Sequence, residues 1–382
     1  MGALLLTAAL LWLHCAVSAA ASLQDGPYVT RSADGGWVSQ WIEDEDDGDS
    51  VRARQQPVKV GDVVSVAAVG ALPSFDVQLR GDQENARDEI KVSSRMPLFV
   101  IADTHGEFDI AVQLLQRQRI IDDNLRWSFG KGQLAILGDV FDRGAHQTEL
   151  LWLFYKLEAE AARAGGGVHL AIGNHEAMVL TGDERYLNPK YRRVAAALGQ
   201  PAYAALWDEQ SVLGRWLRTK AAVFRLGDYL CLHGGVSREL IDRGVSLAQI
   251  NQAVRASLPG RSGVQPAAAN PETEWVMGRS GPLWYRGYFP DAAREGGFKA
   301  AESADIDLIR DRFKVRGILV GHTVVPTITP LYDGRVVAVQ VYPHRDKVTN
   351  APVMEGLLIQ RGKMFRARID GSVELLPIAL SR

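Results

Sequence analysis

Two hydrophobic patterns divide the chain. Residues 23–95 hold short, strand-like segments at Tyr28–Arg31, Trp37–Glu43, Val51–Gln55, Val63–Val69 and Phe75–Arg80. Turn residues such as Asp34-Gly35-Gly36 and Val60-Gly61-Asp62 separate them, which predicts a small β accessory module over residues 22–95. From Met96 the pattern changes to continuous apolar runs at Leu98–Ala102, Leu134–Leu137, Val168–Ile172 and Ile318–Val320. Runs of this length are those of strands buried on both faces. Between them the spacing predicts helices over Asp109–Gln118, Gln147–Ala164, Lys190–Leu198 and Ser303–Phe313. Hairpins are expected where Thr327–Tyr332 meets Arg335–Val341 and where Leu357–Ile359 meets Phe365–Ile369. Residues 259–300, rich in Gly, Pro and Ala, read as a long loop insertion. The whole is an α/β layered fold, with residues 96–382 as its main domain.

The first residues follow neither pattern. Residues 3–13 are almost wholly apolar and Ala16–Ser22 are small, as in the h-region and cleavage zone of a secretory signal peptide spanning 1–21, although no Lys or Arg precedes them. The run is shorter than the roughly 20 residues of a membrane span. The expectation is cleavage near Ala19 or Ala21, a secreted (periplasmic or extracellular) location and no stable membrane insertion afterwards. Cys231 then stands alone, without an internal disulfide, as a small core residue. The net charge of −2 gives no global attraction to nucleic acid or anionic membrane, so anion binding must come from a few local residues. The acidic run from Glu43 to Asp47 lacks EF-hand spacing and reads as a solvated turn.

The buried runs end alike. Leu98–Ala102 leads into Asp103-Thr104-His105-Gly106, Leu134–Leu137 into Gly138-Asp139-Val140-Phe141-Asp142-Arg143-Gly144, and Val168–Ile172 into Gly173-Asn174-His175-Glu176. Tyr229–Leu232 leads into His233-Gly234-Gly235, and Ile318–Val320 into Gly321-His322-Thr323. Sites in α/β sheets form beyond the carboxyl ends of strands. Singly these strings are weak signals; five at five strand ends converge on one place. Asp103, His105, Asp139, Asn174, His233 and His322 offer carboxylate, imidazole and amide oxygen, a donor set suited to two divalent metal ions (Mn, Fe or Zn). Two cations about 3.5–4 Å apart need a bridging anion, and Asp139 is the natural candidate. His146, His169 and His344 lack such context and read as structural or exposed.

The order of these motifs resembles that of the calcineurin-like metallophosphoesterases, specifically the PPP-type phosphatases and their bacterial Shewanella-like branch. The stretches AIGNHEAMVLTGDERY and GPLWYRGYF support that branch, and the resemblance covers roughly residues 98–340. It implies a β-sandwich core flanked by helices. By the same resemblance Asp103, His105 and Asp139 are ligands of one metal, and Asp139, Asn174, His233 and His322 of the other. His175 resembles the general acid with Asp142 as its orienting partner, and Arg143 and Arg286 resemble phosphate-gripping arginines. Val324 stands where many diesterases of the superfamily carry another His, which favours a monoesterase. Ala102 replaces the usual Gly before Asp103, and Val339–Tyr342 departs from the family pattern, so no catalytic role falls beyond residue 340.

The implied reaction is metal-dependent hydrolysis of a phosphomonoester on a phosphorylated peptide, protein or small ester, by direct attack of metal-activated hydroxide on phosphorus. Two readings compete with a protein phosphatase: a metal phosphodiesterase or nucleotide hydrolase of the same superfamily, and a non-catalytic binding protein.

Overall fold

The computed structural model describes residues 23–44, 51–258, 260, 271–291 and 297–378. The expected leader and residues 45–47 of the acidic run lie outside them. Five strands come first: Asp25–Arg31 (β1), Trp37–Asp44 (β2), Val51–Val58 (β3), Val63–Val66 (β4) and Phe75–Gln78 (β5), one for each expected segment. The first three make an antiparallel sheet and the last two a separate hairpin. In β4 and β5 burial alternates residue by residue, so Val64, Val66, Phe75 and Val77 face the core while their neighbours face water.

The core strands are Glu89–Ile90 (β6), Leu98–Ile101 (β7), Gln133–Ile136 (β8), Gly167–Leu170 (β9), Val223–Leu226 (β10), Tyr229–Leu232 (β11), Gly317–Val320 (β12), Thr329–Leu331 (β13) and Val336–Ala338 (β14). After the short pair His344–Arg345 (β15) and Pro352–Val353 (β16) come Glu355–Gln360 (β17), Lys363–Arg368 (β18) and Val373–Leu375 (β19). One sheet runs β19-β18-β17-β7-β8-β9 and the other β13-β14-β12-β11-β10-β6. Both expected hairpins are present, as β13–β14 and β17–β18. Every residue of β7, β8, β11 and β12 is buried, as the continuous apolar runs require. The sheets face each other, with the His169 ring of β9 at 6.0 Å from that of Phe224 in β10. β6 lies within the 22–95 segment yet pairs in parallel with β10, adding an edge to the second sheet.

Helices Phe108–Arg117 (α1), Gln147–Arg163 (α2) and Asn174–Leu180 (α3) follow β7, β8 and β9. Then come Pro189–Ala197 (α4), Val212–Arg218 (α5), Arg238–Asp242 (α6), Leu247–Ser257 (α7), Pro271–Met277 (α8) and Ser303–Phe313 (α9). The four expected helices are all there. The 259–300 segment is not a plain loop: it contains α8, and Tyr288 inside it is buried. The Tyr288 hydroxyl donates to the Val236 carbonyl and accepts from the Val236 amide, both at under 3 Å, which folds the segment onto the core. No helix among the described residues is long and apolar enough to cross a membrane.

The amino-terminal strands are bonded to α2. Trp152 donates to the Pro27 carbonyl at 2.8 Å, and Arg80 sits over the Tyr155 ring while reaching Glu158 at 3.0 Å. Glu158 also takes Lys220 at 2.6 Å and the Trp216 indole at 2.7 Å, joining three elements through one carboxylate. Glu158→Leu leaves the buried Lys220 ammonium uncompensated. The expected loss is about 3–5 kcal/mol, measured as a lower urea midpoint at unchanged slope.

Candidate active site

Strands β7, β8 and β9 are adjacent and parallel, as are β11 and β12. Their carboxyl ends therefore lie side by side, and the five polar turns read from the sequence meet there. The turns are held in uncommon backbone geometry: Asp103, His105, Asp139, Asp142, Arg143 and His322 all have positive φ. Each such non-glycine conformation costs on the order of 1–3 kcal/mol and persists only where the surroundings over-determine it.

Much of that constraint comes from Glu176, the last residue of GNHE. It is fully buried, and its carboxylate accepts from the amides of Asp139 at 2.8 Å, Val140 at 2.7 Å, Phe141 at 3.3 Å and Gly173 at 2.7 Å. The ends of β8 and β9 are thereby fastened together. They approach so closely that a Cβ on Gly138, where φ is +90, would sit 2.7 Å from the Gly173 Cα.

Asp139 occupies the centre. Its Oδ1 accepts from the His175 amide at 2.9 Å, in the first turn of α3. Its Oδ2 faces imidazoles on both sides: His105 and His175 each at 3.8 Å, and His233 at 3.2 Å. Two groupings with metal-ligand spacing result, His105-Asp139-His175 and Asp139-His233-His322, sharing Asp139. Asp103 is buried beside them; its Oδ1 accepts from the His322 amide at 3.1 Å and lies 3.8 Å from His233. Asn174 Oδ1 is 2.8 Å from His233 Nε2. All six residues expected as ligands thus come together. By spacing, His175 rather than Asp103 completes the first grouping.

The protonation pattern tests whether cations fit. His105 Nδ1 and His233 Nδ1 point at the carbonyls of Phe141 and Leu137, at 2.8 and 2.7 Å, and donate to them. That fixes each tautomer and leaves Nε2 with a lone pair facing inward. His233 Nε2 then faces Asn174 Oδ1, Asp139 Oδ2 and His322 Nδ1, the last at 3.1 Å, a convergence of nitrogen and oxygen atoms of the kind that ligates a cation. Burial opposes a proton on His233, but Asp139 and Asp103 outweigh it and raise this imidazole to about 9. Burial drives His105 the other way, down to about 3, and pushes the Asp103 carboxyl up to about 7. His322 Nε2 is buried without a hydrogen-bond partner. The donors fit divalent metal, and Asp139 is common to both groupings.

On its other nitrogen His175 is tied down: Nδ1 is 2.6 Å from Asp142 Oδ2, in a buried pair. Burial works against a charged imidazole there, yet Asp139 and Asp142 carry the His175 pKa above its usual value. Arg143 is exposed on the open side. Arg286 is half-buried, reaches Thr323 Oγ1 at 3.3 Å and helps to lower the pKa of His322. Two rings were missed from the sequence. Tyr186 lies 5.2 Å from the His175 ring and Tyr342 5.9 Å from that of His105, each centroid 5.7 Å from the Arg143 guanidinium. No spacing signal announces either. His146 and His169 are partly buried against Glu149 and Gln133, and His344 is exposed, as expected for residues outside the site.

Fold and site together define a metallophosphoesterase. Residues 96–326 match the model of the calcineurin-like phosphoesterase family, and the chain belongs to that family. Shewanella-like protein phosphatase 2 of Arabidopsis thaliana is 27% identical over 268 residues, covering 59% of this chain and 66% of that protein. Shewanella-like protein phosphatase 1 of Plasmodium berghei is 24% identical over 246 residues, covering 64% of this chain and 65% of that one. The chain thus spans about two thirds of the length of these relatives. The crystal structure of a cold-active protein-tyrosine phosphatase from a psychrophilic Shewanella superimposes with a TM-score of 0.78 at 32% identity, covering 92% of this chain and 99% of that one.

Glu176→Gln replaces one acceptor oxygen by an NH₂ group facing two main-chain donors. Each buried N–H left unpartnered costs about 1–3 kcal/mol. The expected outcome is a lower melting temperature by calorimetry, with reduced metal content by elemental analysis.

Proposed function

We propose that this chain is a two-metal phosphomonoesterase acting as a protein phosphatase on phosphotyrosine, phosphoserine or phosphothreonine. What carries the reading is one buried carboxylate, Asp139, whose Oδ2 faces His105 on one side and His233 on the other, with Arg143 acting on His105 and His175 and Arg286 on His322. Asp103, His105 and Asp139 would hold one ion, and Asp139, Asn174, His233 and His322 the other. When bound, Mn, Fe or Zn ions offset phosphate charge and acidify water for in-line attack at phosphorus.

The chain's own residues supply the rest. A phosphomonoester carries about two negative charges. The planar forks of Arg143 and Arg286 suit its oxygens, contacting them in pairs and fixing orientation. As the bond from phosphorus to the leaving oxygen breaks, His175 gives that oxygen its proton, and Asp142 holds the imidazole in the required tautomer. The names of the relatives support a phosphatase that acts on phosphoproteins. We read the leader at 1–21 as directing the chain out of the cytoplasm, so that its substrates are periplasmic or extracellular.

The reading is tested on the chain stripped of metal by chelation, then resupplied with Mn²⁺. Mono-aryl phosphate turnover is expected to vanish and return, and Asp139→Asn is expected to abolish both turnover and recovery. Faster turnover of a bis-aryl phosphate would instead assign a diesterase.

Leaving-group basicity gives a second outcome. A phenolate, with pKa near 10, departs with less help than a serine alkoxide. His175→Ala is expected to slow phosphoserine peptides by about 10²–10⁴-fold and aryl phosphates far less. Equal losses would remove His175 from the general-acid role.

A further inference from the structure

The first strand reaches the Asp142–Arg143 turn through a chain of buried polar contacts. Asp25, 3% exposed, accepts from the Tyr28 hydroxyl at 2.7 Å and pairs with Lys190 Nζ at 2.5 Å. Lys190 in turn donates to the Ala145 carbonyl at 2.7 Å, two residues after Arg143. Asn188, which caps the helix that carries Lys190, donates to the Arg143 carbonyl at 2.8 Å. On the other side of the turn the Asp142 amide donates to Gln147 Oε1 at 2.6 Å, and Gln147 is held by the hydroxyls of Tyr191 and Tyr203. Tyr28 meets the same cluster at Thr148, at 3.1 Å.

We infer that Asp25 is a positioning residue for the catalytic turn. With Lys190 it pins the main chain after Arg143 and so holds two consecutive residues in left-handed conformation, at φ 71 and 67. Docking of β1 does not need the pair, since Trp152 and the apolar contacts of Tyr28 and Val29 already fasten that strand. A buried ion pair is also seldom better for stability than well-packed apolar residues. What an apolar pair cannot supply is a donor for the Ala145 carbonyl. On this account the amino-terminal strands are part of the catalytic architecture, although they do not touch the metal ligands.

The test uses the full chain carrying Asp25→Leu with Lys190→Met, beside the near-isosteric Asp25→Asn. Its kinetic arm rests on the phosphatase reading, while an exchange arm does not. Expected for the double variant are a melting temperature near that of the unaltered chain, unchanged metal content, and deuterium uptake about tenfold faster in the peptide covering 138–147. The kcat/KM on an aryl phosphate is expected to fall about tenfold, mainly through KM, because Arg143 grips the phosphate. Asp25→Asn should move both readouts in the same direction by less. Exchange and kcat/KM unchanged in a folded variant would reduce the pair to a structural fastener. If the double variant does not fold, unchanged readouts in Asp25→Asn overturn the inference alone. An unaltered chain with no turnover overturns the phosphatase reading instead and leaves exchange to decide the clamp.

Discussion

The four main-chain bonds to the Glu176 carboxylate are the constraint on which the site depends. Adjacent parallel strands end at the same level, but nothing in a ladder dictates how the chain leaves it. Here the exits of β8 and β9 are tied to one buried carboxylate through the amides of Asp139, Val140, Phe141 and Gly173, and the path of the chain at Asp139 is set by that tie. An ionised carboxylate away from water is tolerable only when its oxygens are fully bonded. Removing any of the four donors would therefore harm the anion as much as the turn.

The same economy governs the ligand cluster. A chain of net charge −2 has no excess of cations to offer phosphate, so the positive potential must be local. The protein gathers Asp139, Asn174 and His322 around His233 Nε2, each within about one hydrogen-bond length of it, a concentration of metal-ligand atoms at one point. Carbonyls of Leu137 and Phe141 keep the imidazoles turned inward, so tautomer and ring direction are set by the backbone before any ion arrives.

Legibility in the sequence followed the range of the interaction. Strands β7, β8, β11 and β12 were visible because burial on both faces writes an unbroken apolar run, and the candidate site residues because they sit just past such runs, most of them beside glycine. Helices α5, α6 and α7 were missed although their caps were written locally: Ser211, Ser237 and the Ser246–Gln249 capping box each accept the first free amides. They are short, or their apolar period is broken by polar residues that bond inward, as Asn251 does to the edge of β10. The rings of Tyr186 and Tyr342, the Glu158–Lys220 pair and the Asp25–Lys190 pair were beyond reach for another reason. Each contact is made by the fold between separate segments, and none of these six residues sits in a motif at the end of a buried run.

That contrast bears on why the amino-terminal strands exist. A lid or docking module would need surface complementarity with something outside the chain, and its contacts to the core could be apolar and exchangeable. Instead, β1 sends a carboxylate and a hydroxyl into the layer beneath the Asp142–Arg143 turn, where Gln147, Tyr191 and Tyr203 are already bonded. Polar networks in a low-dielectric interior are costly when half satisfied and rigid when complete. A turn with two consecutive left-handed residues gains that rigidity from its underside, because on its other side Arg143 is exposed and carries no such packing.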